Sequence, residues 1–593
     1  MNGAKKIFTI SCVFLSILIT ENSCKKFSVL NSDPNNITSE EASPDYLMAN
    51  ILTQSAKWYG NLGSGQMSGC MQQTYTDAFG GSSSGYQWDP ASWSTNYGIL
   101  RDNKLLLEKA QTFGWKFHQG VALVMRAFTY GNIADFWGDA PDSMALKGDK
   151  GGIANQFPAF DSQDQIYAKV ISDLQAAIPF LSGSMGDHPE VTAVTSSSDV
   201  LYAGDPAQWT KFAYTLMLRY YMRLSSKMNV QASVEAIAAN VFQSNSNDCF
   251  MSFPGADQNS SYQFYSQFNG GISSFDRNKM CGTLTMKMKA LKDPRIVIMA
   301  DKVVTSSIVD ASKFAPGDNT TLITPTPVNG IRYINPAAAA ASGFKQYDPS
   351  TYSIDRPYGA LIGNIKALYD TSSAYVGIPP SYSFNDFQYN INGVGTQSFS
   401  NNDYVSYLRH DIYNNASGPL LNEKLASYAE VCFDLAEAAL NGWNVNGTAA
   451  QWFNLGVKAS FDNWQVFSSY QSDVDGYYGC VKDFNTYISQ PTVAFDNTLQ
   501  RIIEQKWIAS WQTCNESFMD WRRTGFPTIF IGWTSYRGQI PVRFTYDNTE
   551  LQNNAVNGNA AIAKLQPSAY VATDGNNSSW SKFWLLQGTT QPW

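Results

Sequence analysis

Apolar side chains recur at helical spacing along several long stretches of this chain, and most of those stretches carry their own start or stop signals. Leu105 to Phe113 and Gly120 to Phe136 predict a helical hairpin. Its second arm places Leu123, Ala127, Tyr130 and Ala134 on one face and is stopped by Gly138 and Pro141. Asp161-Ser162-Gln163-Asp164 supplies capping residues for a further helix running through Ile166, Val170, Leu174 and Ile178 to Pro179. Asp205-Pro206 opens another, with proline suited to the first turn, through Trp209, Phe212, Leu216, Tyr220 and Arg223. Lys424 to Leu440, Ala449 to Trp464 and Thr498 to Trp511 are equally periodic. Between about 228 and 419 the pattern breaks into Gly, Pro, Asn and Ser clusters with short β-like runs such as Ile331 to Ile334. The chain should therefore be mainly α, with a loop-rich insert. No motif repeats at a fixed period.

The N-terminus has a different character. Lys5 and Lys6 precede the largely apolar run Ile7 to Ile19, which is too short to span a bilayer and suits a secretory leader. Ser23-Cys24 follows, so Cys24 is the expected lipidation site, with residues 1–23 removed as a lipoprotein signal peptide. Several acyl chains on Cys24 would anchor the protein stably where one would not. Residues 24–44 have the composition of an extended tether, leaving 45–593 as one domain. Its helical scaffold falls at about 45–227 and 420–530, and its irregular insert at 228–419. Beyond Cys24 no segment approaches eighteen consecutive apolar residues. Cys70, Cys249, Cys281, Cys432, Cys480 and Cys514 are widely spaced, and both pairing and burial as thiols are open to them.

Charge narrows the function. Lys plus Arg number 41 against 49 Asp plus Glu, with no basic run, so the electrostatic footprint for nucleic acid is missing. His118, His188 and His410 are the only histidines, which leaves little material for histidine metal sites or proton relays. No metal and no cofactor is expected. Gly81-Ser82-Ser83-Ser84-Gly85 matches the spacing of a serine nucleophile elbow, but Tyr86 to Pro90 do not open the helix that chemistry needs. Gly63 to Gly69 misses dinucleotide-loop spacing by one residue, and Asp473-Val474-Asp475-Gly476 lacks the glutamate that closes a calcium loop. Glu430, Asp434 and Glu437, and Glu516 and Asp520 beside Arg522 and Arg523, read as solvated or ion-paired helix faces rather than catalytic acids.

Aromatic residues make up 14% of the chain while charged residues are only 15%. Flat rings with polar edges stack on the C–H face of a sugar while amides and carboxylates bond its hydroxyls, so this balance favours binding over catalysis. Trp209, Phe212 and Tyr220 sit at helical spacing and belong to packing. The expected ligand contacts lie where no regular element claims them: Tyr86, Trp88 and Trp93 in a Gly/Ser-rich loop, and Tyr262, Phe264 and Tyr265 after Asn259-Ser260-Ser261.

Several strings, in order along the chain, resemble the SusD/RagB family of surface lipoproteins. They are MRAFTYGNIADFWGDAP at 125–141, FDSQDQIYAKVISDLQAAIPFL at 160–181 and DVLYAGDPAQWTKFAYTLMLRYYMRLS at 199–225. Further matches are DPR at 293–295, YAEVCFDLAEAALNGW at 428–443, RIIEQKWIASWQTCNESFMDWRRTGFPTI at 501–529 and IPVRFTYDNTEL at 540–551. The resemblance implies a scaffold of tetratricopeptide-like helix pairs with a ligand surface built by the irregular segments, and no enzymatic activity. It also implies lipid anchoring in the outer membrane facing outward, and a SusC-like TonB-dependent β-barrel transporter as partner. Over that barrel the protein would act as a lid delivering oligosaccharides or, on the same architecture, peptides. Sparse charge and abundant amides favour glycan over peptide, whose capture draws on backbone-pairing edges and charged anchors.

Overall fold

The computed structural model describes residues 41–76, 83–265, 275–304, 306–328, 331–346, 366–368, 374–378, 405–531, 535–589, 591 and 593. The leader and Cys24 lie outside the described residues.

Five long helices form the first half: α1 (Pro44–Leu62), α2 (Ser94–Phe113), α3 (Lys116–Phe136), α4 (Gln163–Leu181) and α5 (Pro206–Leu224). Each packs on the next in chain order. The hairpin predicted for α2 and α3 is present and longer than its periodicity indicated. Gly114 takes a left-handed conformation (φ 70°) that turns the chain between them, and the Trp115 amide donates back to the Ala110 carbonyl at 2.8 Å. Ser162 and Gln165 form the capping box of α4, and the Asp205 carboxylate caps α5 at the Ala207 and Gln208 amides.

Helix α3 lies between its neighbours and is buried on nearly every side. Two glycines make that possible. A methyl at Gly131 would overlap the ring of Tyr220 on α5, and one at Gly120 would sit 2.7 Å from Leu181 Cδ2 on α4, so the absent side chains admit close helix approach.

The second helical group comprises α6 (Tyr428–Leu440), α7 (Ala449–Asn463), α8 (Leu499–Ala509) and α9 (Asn515–Thr524). α6 packs on α7 and α8, and also on α5 of the first group. The periodic stretch from Lys424 departs from expectation at its start. Asn422–Ala426 is a strand, and Ser427 caps the helix only afterwards, accepting from the Glu430 amide. Two short helices follow near the C-terminus, α10 (Asn548–Asn553) and α11 (Ala555–Ala563).

Strands are short and paired two by two. β1 (Thr74–Thr76) runs antiparallel to β3 (Asn278–Met280), and β2 (Cys249–Ser252) antiparallel to β8 (Asn422–Ala426). β4 (Ser306–Val309) lies parallel to β5 (Ile331–Ile334), and β6 (Phe344–Gln346) parallel to β7 (Lys366–Leu368). The strand read at 331–334 is thus present. The architecture is the mainly α, tetratricopeptide-like scaffold the sequence implied.

Carboxylates read as solvated or paired faces prove to be interior ion pairs, some tying the two helical groups together and some joining helices within the second. The Arg219 guanidinium donates to Glu430 at 2.7 and 2.8 Å and to the Leu425 carbonyl at 2.7 Å. Arg223 bridges Asp135 of α3 and Glu516 of α9, and the Tyr59 hydroxyl also donates to Glu516 at 3.0 Å. Lys506 pairs with Asp434 at 2.6 Å and Asp520 at 2.8 Å, while Arg523 pairs with Glu437 and Asp520. Arg522 instead donates to the Asp135 and Val542 carbonyls, at 2.8 and 2.7 Å. Burial raises the Tyr59 hydroxyl well above its ordinary range, and Glu516 adds to the effect. A polar cavity of about 30 Å³ lies among Tyr59, Lys424, Glu430, Lys506 and Glu516, room for a water or two and no organic ligand.

Candidate functional site

Five of the six rings expected to contact ligand are core residues. Tyr86 is fully buried, and its hydroxyl accepts from Gln72 Nε2 at 2.7 Å. Trp88 packs between Phe518 (5.6 Å between centroids) and Phe544 (4.9 Å). Tyr262 meets Phe253 and Phe264 edge-on, both at 5.5 Å, and Phe264 also contacts Tyr413. Trp93 is 8% exposed, and Tyr265 is half-buried. The physical reason is that segments 83–93 and 261–265 carry no helical or strand period yet complete the core. Their rings pack against aromatic side chains supplied by other segments, Phe518 and Phe544 for Trp88 and Phe253 and Tyr413 for Tyr262 and Phe264. The expectation that these rings stand free in a loop is corrected for Tyr86, Trp88, Tyr262 and Phe264.

Trp93 differs because it borders an open cleft of about 430 Å³. One wall is the start of α2, where Trp93 and Tyr97 lie one turn apart with ring centroids at 5.5 Å. The second wall is the loop after α3, through Pro141, Leu146 and Pro158. The third is α10, which contributes Asp547, Glu550 and Asn553.

Hydrogen bonds hold the three walls together. Ala140 and Asp161 exchange backbone bonds at 3.1 and 2.9 Å, and the Asp161 carboxylate accepts from the Asp142 and Ser143 amides at 2.9 and 2.8 Å. The Tyr97 hydroxyl donates to the Pro141 carbonyl at 2.6 Å, and Asn554 Nδ2 donates to the Pro158 carbonyl at 2.9 Å. Trp93 is braced from behind by Trp137, Phe160 and Tyr546, at 5.6–6.0 Å between centroids. The cleft is therefore preformed, with an aromatic base and a polar rim.

Burial sets its electrostatics. Burial raises the Glu550 carboxyl above its ordinary range, against the donors Asn554 and Trp93, which favour the ionised form. Asp142, behind Tyr97, is pushed up to about 6 by burial and then by the neighbouring Asp161 charge. Sequence reasoning named Trp93 and missed Tyr97, although a spacing of four residues on a helix was the available signal. It also missed Glu550 and Asn553, for which no period exists in the sequence.

Each of the three histidines is held by carboxylates. His118 bonds Asp45 at 2.9 Å, His188 faces Glu190 at 3.4 Å, and His410 is held between Asp276 (2.8 Å) and Asp301. Ser83, at the centre of the elbow-like string, is buried and followed by a turn, and the next helix begins only at Ser94. Gly63–Met67 continues α1 as a π-helical turn, and Gln471–Asp475 is a short helix, so neither forms a phosphate or calcium loop. Among the described residues no group of three or more His, Cys, Asp or Glu side chains is arranged to hold a metal, and no helix is long and apolar enough to cross a membrane.

The molecule is thus a mainly α, tetratricopeptide-like scaffold with an aromatic-lined cleft at its surface. The family models agree with the fold: one described as starch-binding, associating with the outer membrane, matches residues 34–314, and one described as SusD and RagB outer membrane lipoprotein matches 387–584. The chain belongs to the SusD/RagB family of outer-membrane lipoproteins.

Solved structures share its fold. A SusD homolog from Bacteroides fragilis aligns with TM-score 0.64 at 20% identity, over 92% of this chain and all of that one. A chitin-binding SusD homolog from Flavobacterium johnsoniae aligns at 0.60 and 19%, over 92% and 98%. A SusD homolog from Bacteroides ovatus aligns at 0.58 and 19%, over 91% and 99%. No curated protein matches the chain in sequence.

Proposed function

We propose that this protein captures oligosaccharides at the outer membrane, without chemically altering them, and delivers them as a lid to a SusC-like TonB-dependent transporter. Lipidated Cys24 would hold it at the membrane, facing outward. The cleft beside Trp93 carries the reading. Tyr97 offers ring surface with the buried Trp93 behind it presenting only an edge, Asn553, Gln156 and Glu550 offer hydroxyl partners at the rim, and among the described residues no strand edge lines the walls. A peptide taken by backbone pairing would need such an edge. The starch-binding description of one family model and the chitin-binding name of one structural relative support the same ligand class.

The test is an alanine series read by oligosaccharide calorimetry and melting temperature together. Asn553 is exposed, so Asn553→Ala should leave melting unchanged and weaken binding about fivefold, the worth of one net hydrogen bond. Tyr97→Ala should weaken it more, about thirtyfold if it behaves as a hot spot. Unchanged affinity in both variants would refute the cleft as the site, and retention of peptides instead of glycans would transfer the reading to peptides. Cys24→Ala should release the protein into the soluble fraction, and the lipidated form should co-purify with a β-barrel transporter.

A further inference from the structure

We infer that the cleft selects a sugar unit bearing a protonated amine and rejects one bearing a carboxylate. The inference rests on the oligosaccharide reading above and narrows it.

Among the described residues, the ionisable side chains lining the cleft, tyrosine apart, are Asp547 and Glu550, and neither a lysine nor an arginine lines it. Both carboxylates are engaged by neutral donors, which orient the charge and leave it uncompensated. Glu550 is met by the Asn554 amide at 3.3 Å and by the Trp93 side chain, while Asp547 accepts from the Thr549 amide at 3.0 Å. Asp142 and Asp161 stand behind Tyr97, and with Glu550 their charges act on its hydroxyl. Cations around the site are directed elsewhere. Lys564 pairs with Asp139 at 2.8 Å, Arg126 makes a two-pronged pair with Asp173 at 2.6 and 2.7 Å, and the Lys147 ammonium donates to the Ser143 carbonyl at 2.7 Å.

An aromatic base beside partly desolvated carboxylates is the combination an aminated sugar uses. The ring's C–H face covers the aromatic surface, while its ammonium replaces water with a charge-assisted hydrogen bond to Glu550. A uronic acid of the same shape would bring a second negative charge into a site with no cation to receive it, a repulsive element that separates ligands of equal size. A neutral hexose falls between.

Three methyl glycosides that differ only in the relevant group test the inference without any assumption about linkage: those of glucosamine, glucose and glucuronate. Binding is read by ligand-observed NMR titration at low ionic strength, on the wild-type protein and on Glu550→Gln. The glucosaminide should bind about tenfold more tightly than the glucoside, one charge-assisted contact, and the glucuronide more weakly than both. Glu550→Gln, which keeps the Asn554 contact and should keep the melting temperature, should erase the glucosaminide's advantage over the glucoside, so that the ratio of the two affinities falls to about one whatever happens to the glucoside itself. Should Glu550→Gln lower the melting temperature, Asp547→Asn provides the second variant, expected to reduce the same advantage. Equal binding of all three glycosides, or an amine preference that survives both variants, overturns the inference while the saccharide reading stands. Absence of any binding overturns both.

Discussion

Replacing Gly131 with alanine tests the packing of the scaffold most directly, because the same exchange at Gly98 should have the opposite sign. Both glycines lie inside long helices of one hairpin, and Gly→Ala in a helix interior stabilises by about 1 kcal/mol through backbone entropy. At Gly98 on α2 nothing lies within 4 Å of the added methyl, so Gly98→Ala should show that gain undiminished. At Gly131 on α3 the methyl overlaps the Tyr220 hydroxyl and approaches ring atom Cε1 to 2.7 Å. Tyr220 is 1% exposed and flanked by Tyr167 and the Arg223 guanidinium, so its ring has little room to withdraw. Overpacking of this kind costs up to about 3 kcal/mol, which exceeds the helix-propensity gain and leaves a net loss of about 2 kcal/mol. Urea unfolding of the unlipidated Cys24→Ala protein reads both changes. Gly131→Ala combined with Tyr220→Leu should recover at least about 1 kcal/mol of coupling, since the double variant removes the overlap. Stabilisation by both single alanine exchanges would refute the close approach of α3 and α5.

Glu516→Gln leaves volume and the Tyr59 contact in place but removes charge from the hub shared by Arg219 and Arg223, and should cost about 3 kcal/mol in the same unfolding assay. Stability should fall as pH rises from about 4.5 to 8. Burial pushes the Glu423 carboxyl up to about 8, so over that window the folded chain retains a proton the unfolded chain has lost, and Glu423→Gln should flatten the slope. The six cysteines beyond Cys24 are buried thiols, with Cys281, Cys432 and Cys514 pushed up to about 12 by burial. A colourless aromatic disulfide reagent should therefore titrate close to none of the six in the native protein and all six in denaturant.

The helices were legible wherever an amphipathic period coincided with a cap, as at Ser162 and Asp205, because both signals are local. The strand at Asn422–Ala426 was not. Its pairing with Cys249–Ser252 is made across some 170 residues of sequence, and no local pattern announces it. The aromatic rings failed as site markers for a related reason. Whether Trp88 faces solvent is decided by Phe518 and Phe544, far along the chain, and an aperiodic segment gives no hint that it will be folded under. Trp93, read as part of a Gly/Ser-rich loop, instead stands at the start of a helix and borders the cleft together with Tyr97 one turn on.

The interior ion pairs impose an order on how this protein can be made. Arg219 and Arg223 are committed to the core by α5, yet Glu430 and Glu516 lie more than 200 residues further on. A chain emerging N-terminus first would hold Arg219 over an apolar interior before either of its counterions existed, and Arg223 with Asp135 but without Glu516. Arg219 thus stays unanswered until α6 and α9 are delivered. Assembly must wait for α9, so a truncated chain should be held open by its own unanswered charge, exposed to proteases and in need of a holding chaperone until the last partner arrives.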